Sequence, residues 1–338
     1  MSYRVRPVRG DDFPAIYEMA KLTGGGFTNL PPERATLVAK IARSDASFER
    51  QEDEQSGDLY MFALEELKTG KIRGTCQVFG KVGVVQPFYS YHLSTLTQSS
   101  PELGKTFRNE MLSLTTDLEG SSEVGGLFLH PEARAGGWGA LLARSRYLFM
   151  KLHRRRFGDR TLAELRGVMD DAGNSPFWDS LAGRFFDMSF PDADEFNAIN
   201  GTRFIADLMP RTPIYVALLP DVAKAVMGLP HPTGRAALRM LEAEGFVFDR
   251  YVDIFDGGPT VIAATNSIRT IDEAETYTVD KVGDGGKQRM LLAVGRLTEF
   301  KSCCACVRKL PRKRLGIDRE AAELLGVREG DEVLAVAR

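Results

Sequence analysis

Leu127-Phe128-Leu129-His130-Pro131-Glu132-Ala133-Arg134-Ala135-Gly136-Gly137-Trp138-Gly139-Ala140 is the stretch on which the fold turns. Val124 to Leu129 is a short apolar run of strand type. The chain then turns through Arg134-x-x-Gly137-x-Gly139, and a helix begins near Gly137. Trp138, Leu141, Leu142, Ser145, Leu148, Phe149 and Leu152 recur there at helical spacing and predict one buried face. Glycine lets the backbone of such a turn approach a ligand without Cβ interference. The free N–H groups of the first helical turn, with the positive end of the helix dipole, make a site for an anion such as a pyrophosphate. A Gly-rich turn that merely joins strand to helix reads the same way. Two other phosphate motifs do not fit. No Gly-Lys-Ser/Thr follows, as a Walker loop requires, and the Gly-x-Gly-x-x-Gly dinucleotide spacing is absent.

Outward from this stretch, Arg4 to Val8 alternate as a strand. Asp11-Asp12 and Phe13-Pro14 open a helix carrying Ile16, Met19 and Ala20, which Gly24-Gly25-Gly26 end. A second helix is expected from about Pro32 to Arg43, with Leu37, Val38 and Ile41 on one face. Leu59 to Leu64, the turn Lys68-Thr69-Gly70-Lys71 and Ile72 to Phe79 predict a hairpin. Residues 82–122 are polar and rich in Ser and Thr, and no structure is assigned to them. Strand, helix, hairpin, strand, helix in that order is an α/β layout. Residues 266–338 read as short strands with one small helix, capped by Asp318 and stopped by Gly326, before a closing strand with Val333 and Val336. The domains expected are therefore 1–265 and 266–338.

The composition narrows the function. With 338 residues, 44 Lys+Arg against 46 Asp+Glu and a net charge of −2, the chain suits about two globular domains. That charge balance argues against bulk attraction to nucleic acid or an anionic membrane. No run of about 18 apolar residues suggests a spanning helix, and Met1 to Pro7 lead into no apolar signal core. Four cysteines in this length form no disulfide framework, so a cytoplasmic protein is expected.

Arg134-x-x-Gly137-x-Gly139 after an apolar strand resembles the coenzyme A pyrophosphate loop of the GNAT acyltransferase superfamily. Arg235 to Phe246, ending in Glu242-Ala243-Glu244-Gly245-Phe246, looks like the late helix of that fold. A narrower likeness rests on motifs in order: Thr23 to Pro31, Arg166-Gly167-Val168-Met169-Asp170, Ser175-Pro176-Phe177-Trp178 and Phe204 to Pro210. Pro213-Ile214-Tyr215, His231-Pro232 and Asp253 to Thr260 complete the set. Together these resemble the arginine N-succinyltransferase family over roughly residues 3–275.

That resemblance implies a GNAT-like α/β (α+β) fold with a small barrel-like C-terminal domain. It also implies an acyl-CoA-dependent N-acyltransferase moving succinyl from succinyl-CoA to the α-amino group of L-arginine, in arginine catabolism. His231 would be the proton donor. Leu127 would contact succinyl-CoA, with the backbone of Leu127, Phe128 and Leu129 on the pantetheine amides and Arg134, Gly137, Gly139 and Ala140 forming the pyrophosphate loop. No metal, nucleic acid or membrane is expected, and self-association or a paired subunit is. Ornithine or another amino acid as acceptor, acetyl transfer, and a non-catalytic partner subunit remain the alternatives. Asp207 stands where many members carry Glu.

Attack of an amine on a thioester needs a deprotonated amine, a polarised carbonyl and a proton for the departing thiolate, and His suits the last step near neutral pH. Of four histidines, His130 ends the strand beside the loop, His92 lies in the unassigned polar region, and His153, in a basic run, is expected to be solvated. His231 sits between two prolines just before a helix, where a hydrogen-bonded loop histidine is the plainer reading. A guanidinium acceptor calls for carboxylates; Asp170, Asp171, Asp207, Asp253 and Asp256 stay open. Arg166, Arg203 and Arg211 are open candidates for the succinyl carboxylate, and Arg154 to Arg156 for a coenzyme phosphate. Cys303, Cys304 and Cys306 lack a second ligand pair for zinc and read as strand cysteines.

Overall fold

The structure, a computed structural model, describes residues 2–23, 29–201 and 203–338, and gives the backbone alone for residues 195, 198–200, 203 and 206. The expected Gly24-Gly25-Gly26 helix stop, most of the Thr23 to Pro31 motif and the Arg203 side chain lie outside what is described. The chain forms two compact units, each drawn from several stretches: residues 1–80, 122–159 and 264–338 in the first, and 81–121 with 160–263 in the second. Strands are numbered along the whole chain.

The first unit opens with β1 (Tyr3–Pro7) and helix α1 (Phe13–Lys21). Helix α2 (Arg34–Glu49) is longer than expected, and its N-cap Glu33 accepts the N–H groups of Ala35 and Thr36. The hairpin is β2 (Leu59–Glu66) and β3 (Lys71–Phe79), and its turn ends at Gly70 with φ 66°. β6 (Ser122–Leu129) follows β3 in the sheet and leads to helix α3 (Trp138–Leu152). Alternation along β2 splits its side chains. Leu59, Met61 and Ala63 face Ile16, Met19, Leu37 and Ile41, while Tyr60 and Phe62 join Phe48, Phe149 and Phe300 in an aromatic cluster.

The last stretch of this unit holds β11 (Glu275–Val282), β12 (Gln288–Val294), β13 (Lys301–Leu310), β14 (Arg314–Ile317) and β15 (Glu332–Ala337). Their order β12-β15-β11-β14-β13, closed by a β12–β13 pairing, is a five-strand barrel. The Arg319–Leu325 helix is capped by Asp318 and ends at Gly326, as the sequence indicated; Ala321, Ala322, Leu324 and Leu325 plug the core. β13 is shared: Cys303 and Ser302 also pair with Arg4 and Val5 of β1. α3 departs from its one-faced reading. Ala143, Arg146, Tyr147 and Met150 are buried beside the expected stripe, because the Arg269–Glu273 helix and β12 pack on it as well as β3 and β6.

In the second unit the strand order is β7 (Arg160–Glu164), β10 (Pro259–Ala264), β9 (Val247–Val252), β4 (Ser90–Ser100), β5 (Lys105–Thr115) and β8 (Ile214–Tyr215). The unassigned polar region is thus a long β4–β5 hairpin paired over eleven residues a side. Its polarity reflects exposure; Tyr91, Leu93 and Leu112 are buried in the core with Phe177, Trp178, Val252 and Ile254, and Leu114 packs against it. The expected late helix spans Arg235–Ala243, and Gly245 turns it into β9 at φ 94°.

Candidate functional site

The first unit assembles one group of the singled-out residues. Gly125 pairs with Gln77 and Phe128 with Thr75, so Gly126 and Leu127 together face the single residue Cys76. This is a β-bulge with glycine in the left-handed region, φ 58°. A Cβ at Gly126 would lie 2.9 Å from the Gln77 side chain, which donates to Asn29 Oδ1 at 2.5 Å. The bulge breaks the ladder at Leu127, leaving Leu127, Phe128 and Leu129 half-buried at the strand end. His130 N–H then donates to Arg73 O at 2.8 Å.

The loop beyond it is built to leave donors free. Gly136 and Gly137 take φ 87° and 79° in succession. Side chains cap α2 and the helices that begin after Ser175, Ser189 and Asp318, whereas Gly137 gives α3 no side-chain cap. The first N–H groups of α3, from Trp138, Gly139 and Ala140, have no carbonyl one turn back. They and the helix dipole can hold an anion. Arg134 folds back, its Nε donating to Leu129 O at 3.3 Å, and so braces the loop against the strand end. Gly139 has room: a Cβ there would touch only Leu129 Cδ2, at 3.8 Å.

The second unit holds His231. Its N–H donates to Arg166 O at 2.7 Å, and Gly167 forms a bridge with Pro230. Behind that bridge Asp256 accepts Gly167 N–H at 2.7 Å and Gly258 N–H at 2.8 Å. Asp253 accepts the N–H groups of Phe255 and Asp256 at 2.7 and 2.9 Å. A Cβ at Gly167 or Gly258 would strike backbone carbonyls, so the crossing tolerates glycine alone. Burial, and next the Asp253 charge, push the Asp256 carboxyl up to about 8. The pair therefore shares a proton in the neutral range.

The His231 ring is set by Thr233. Nδ1 lies 2.7 Å from Thr233 Oγ1 and 3.3 Å from Thr233 N. The amide suits a bare Nδ1, which leaves the proton on Nε2. The hydroxyl can instead accept a protonated Nδ1, which leaves Nε2 bare. Partial burial, and next the Arg166 charge, hold the imidazole below its usual range. The Arg166 guanidinium itself meets a weak acceptor, Met169 Sδ, at 3.1 and 2.6 Å. Its donors are therefore poorly used.

Several readings change. His153 is buried, not solvated; Nε2 accepts Leu297 N–H at 3.2 Å, and burial drives its pKa down to about 4. Arg156 is buried on Tyr60 Oη and Arg50 O, and Arg154 is spent on Phe157 O, Asp159 and Asn266. Asp170 closes its own turn on Ala172 and Asn174. Asp253 and Asp256 serve backbone amides. Asp207 lines a cavity of about 320 Å³ with Phe186, Met188, Phe196, Phe204 and Leu208. Cys303 is buried, while Cys304 and Cys306 are half-buried. The sequence reading missed Thr233 and the Gly126 bulge. The second had a signal, since paired glycines inside an apolar strand mark a bulge or a close approach.

The model of the arginine N-succinyltransferase beta subunit matches residues 3–270, and that of its C-terminal domain residues 275–337. Arginine N-succinyltransferase subunit beta of Pseudomonas aeruginosa is 38% identical over 332 residues, covering 98% of this chain and 97% of its own. Arginine N-succinyltransferase of Salmonella paratyphi B is 40% identical over 337 residues, covering 98% and 96%. Among solved structures, arginine/ornithine succinyltransferase subunit AI from Pseudomonas aeruginosa superposes with a TM-score of 0.90 at 33% identity, covering 99% of this chain and 98% of that one. The GNAT-like α/β architecture with a small barrel is the one observed. No helix among the described residues is long and apolar enough to cross a membrane.

Proposed function

Because this chain belongs to the arginine N-succinyltransferase beta subunit family, we propose that it transfers succinyl from succinyl-CoA to the α-amino nitrogen of L-arginine. The reaction forms a C–N bond and breaks the C–S bond of the thioester. One proton leaves the amine and one reaches the coenzyme thiolate. His231 is the residue for this transfer. Held neutral by burial and by Arg166, it takes the amine's proton at Nε2 while Thr233 Oγ1 accepts Nδ1–H, and gives that proton to the thiolate. The observation that carries this reading is the His231–Thr233 contact of 2.7 Å on a turn fixed to Arg166.

The Leu127–Leu129 backbone at the bulge serves the pantetheine arm, and Arg134, Gly137, Gly139 and Ala140 serve the pyrophosphate. Arg166, whose guanidinium donates to the weak thioether acceptor of Met169, fits the terminal carboxylate that distinguishes succinyl from acetyl. Residues 1–265 form the acyltransferase domain and 266–338 the β-rich one. As two relatives are named as subunits, assembly with a second subunit or a second copy is part of the reading. Ornithine is the second acceptor to consider, since one matched structure is named for both amino acids.

Free-thiol release from succinyl-CoA tests this, run with L-arginine, with ornithine, and with acetyl-CoA as control donor. Release that needs both arginine and succinyl-CoA is the expected result. Release with ornithine alone keeps the chemistry and moves the acceptor; coenzyme binding without release makes the chain a partner subunit.

A further inference from the structure

Arg338 follows the last barrel strand, where Met290 and Leu291 of β12 pair with Ala337 and Val336 of β15 and Arg338 N–H donates to Arg289 O at 3.2 Å. Its side chain leaves the barrel. The guanidinium donates to Gly136 O at 2.7 Å, and a Cβ at Gly137 would run into it. A cation from the barrel thus stands on the two glycines that precede the uncapped end of α3. It is not alone, because Arg289 of β12 and Arg144 of α3 act with it on the Cys304 thiol. One guanidinium N–H is spent on the Gly136 carbonyl and the other four remain, in the planar fork that suits phosphate oxygens. No carboxylate among the described residues pairs with Arg338.

We propose that Arg338 binds a phosphate of the coenzyme, so that the barrel supplies part of the acyl-CoA site. This rests on the acyl-CoA reading above. Carbonyl anchoring holds the positive charge beside the loop before the ligand arrives, so little side-chain order has to be gained on binding. It also gives the barrel a catalytic reason to be fused to the transferase sheet through β13.

The test compares the full chain with Arg338→Ala and Arg338→Lys, using CoA, dephospho-CoA and the phosphate-free donor succinyl-pantetheine. Expected for Arg338→Ala is a loss of CoA affinity and a rise in KM for succinyl-CoA of about 10- to 100-fold, the size of one charge-assisted contact. kcat and KM for arginine should stay within about twofold, with Arg338→Lys recovering part of the loss. Dephospho-CoA losing the same factor assigns the pyrophosphate; no loss with it assigns the 3′-phosphate. CoA affinity within twofold of wild type overturns the proposal. So does an equal loss with succinyl-pantetheine, which would make Arg338 a brace for the loop. Wild-type protein that binds no CoA sinks the acyl-CoA reading itself, and the proposal with it.

Discussion

Two turns in this chain share a backbone and differ in what surrounds them. His130-Pro131 and His231-Pro232 each begin a single 3₁₀ turn, with the histidine as N-cap at φ −54°, ψ 137° and φ −50°, ψ 144°. In both, Nδ1 lies 3.3 Å from the backbone nitrogen two residues on, and the histidine carbonyl accepts the N–H three residues on at 2.8 Å. Even the histidine N–H is used alike, on Arg73 O at 2.8 Å and on Arg166 O at 2.7 Å. The surroundings separate them. Around His130 stands Glu132, itself held by Arg73 at 2.7 Å. Around His231 stand a hydroxyl and a cation. A His-Pro pair therefore fixes where a ring sits, and the neighbouring side chains decide whether it can move a proton.

The sharpest way to break this comparison is to remove each ring. His231→Ala should lower kcat by about 10²–10⁴, the worth of a positioned acid–base group, with CoA affinity retained. His130→Ala should stay within about threefold. Equal losses in steady-state assays of the two variants would show that both turns serve one structural role.

The next difference lies in what backs each turn. The His130 turn leans on Arg73, which ties Glu66 and the exposed Glu132 at 3.2 and 2.7 Å. The His231 turn leans on the buried Asp256. A carboxyl whose folded pKa is raised contributes stability at low pH and loses it as pH climbs through that value. The Asp256 contribution to stability should thus be complete below about pH 4 and be lost as pH rises through about 8. Asp256→Asn should cost about 1–3 kcal/mol at pH 6, since one of two buried N–H groups loses its acceptor, yet flatten the decline toward pH 9. Urea midpoints at the two pH values measure this, and a slope unchanged in the variant would place the titration elsewhere.

The smallest effect should come from Thr233. Thr233→Val removes the acceptor for Nδ1–H and should cost about tenfold in kcat, while Thr233→Ser stays within about twofold. Wild type should keep its kcat/KM acid limb below the ordinary histidine range, because burial and Arg166 disfavour the charged ring. A Thr233→Val enzyme with an unmoved limb and unchanged kcat would show that the hydroxyl does no more than cap the turn.

Much of this was readable in the residues. The Leu127–Ala140 stretch showed its strand, its loop and its helix start because each depends on neighbours in sequence: an apolar run, glycines, a helical stripe. Asp318 and Gly326 bounded their helix for the same reason. What stayed hidden depends on distant partners. His153 looked solvated among Lys151, Arg154, Arg155 and Arg156, yet Leu297, 144 residues away, takes its Nε2. Residues 82–122 lacked an apolar signature because most of the β4–β5 hairpin faces solvent. The Asp253–Asp256 knot could be suspected of ligand binding only until Gly167 and Gly258 were seen to own its oxygens.

The strand shared between sheet and barrel has a consequence in time. β1 finds β2 after some sixty residues, but its other edge pairs Arg4 with Cys303 and Val5 with Ser302. At a synthesis rate of about 5–20 residues per second, that edge waits roughly 15–60 s for its partner to emerge. An unpaired strand edge is a template for wrong pairing. The nascent chain must therefore carry an open seam for most of its birth, and the barrel, made last, is what zips it shut.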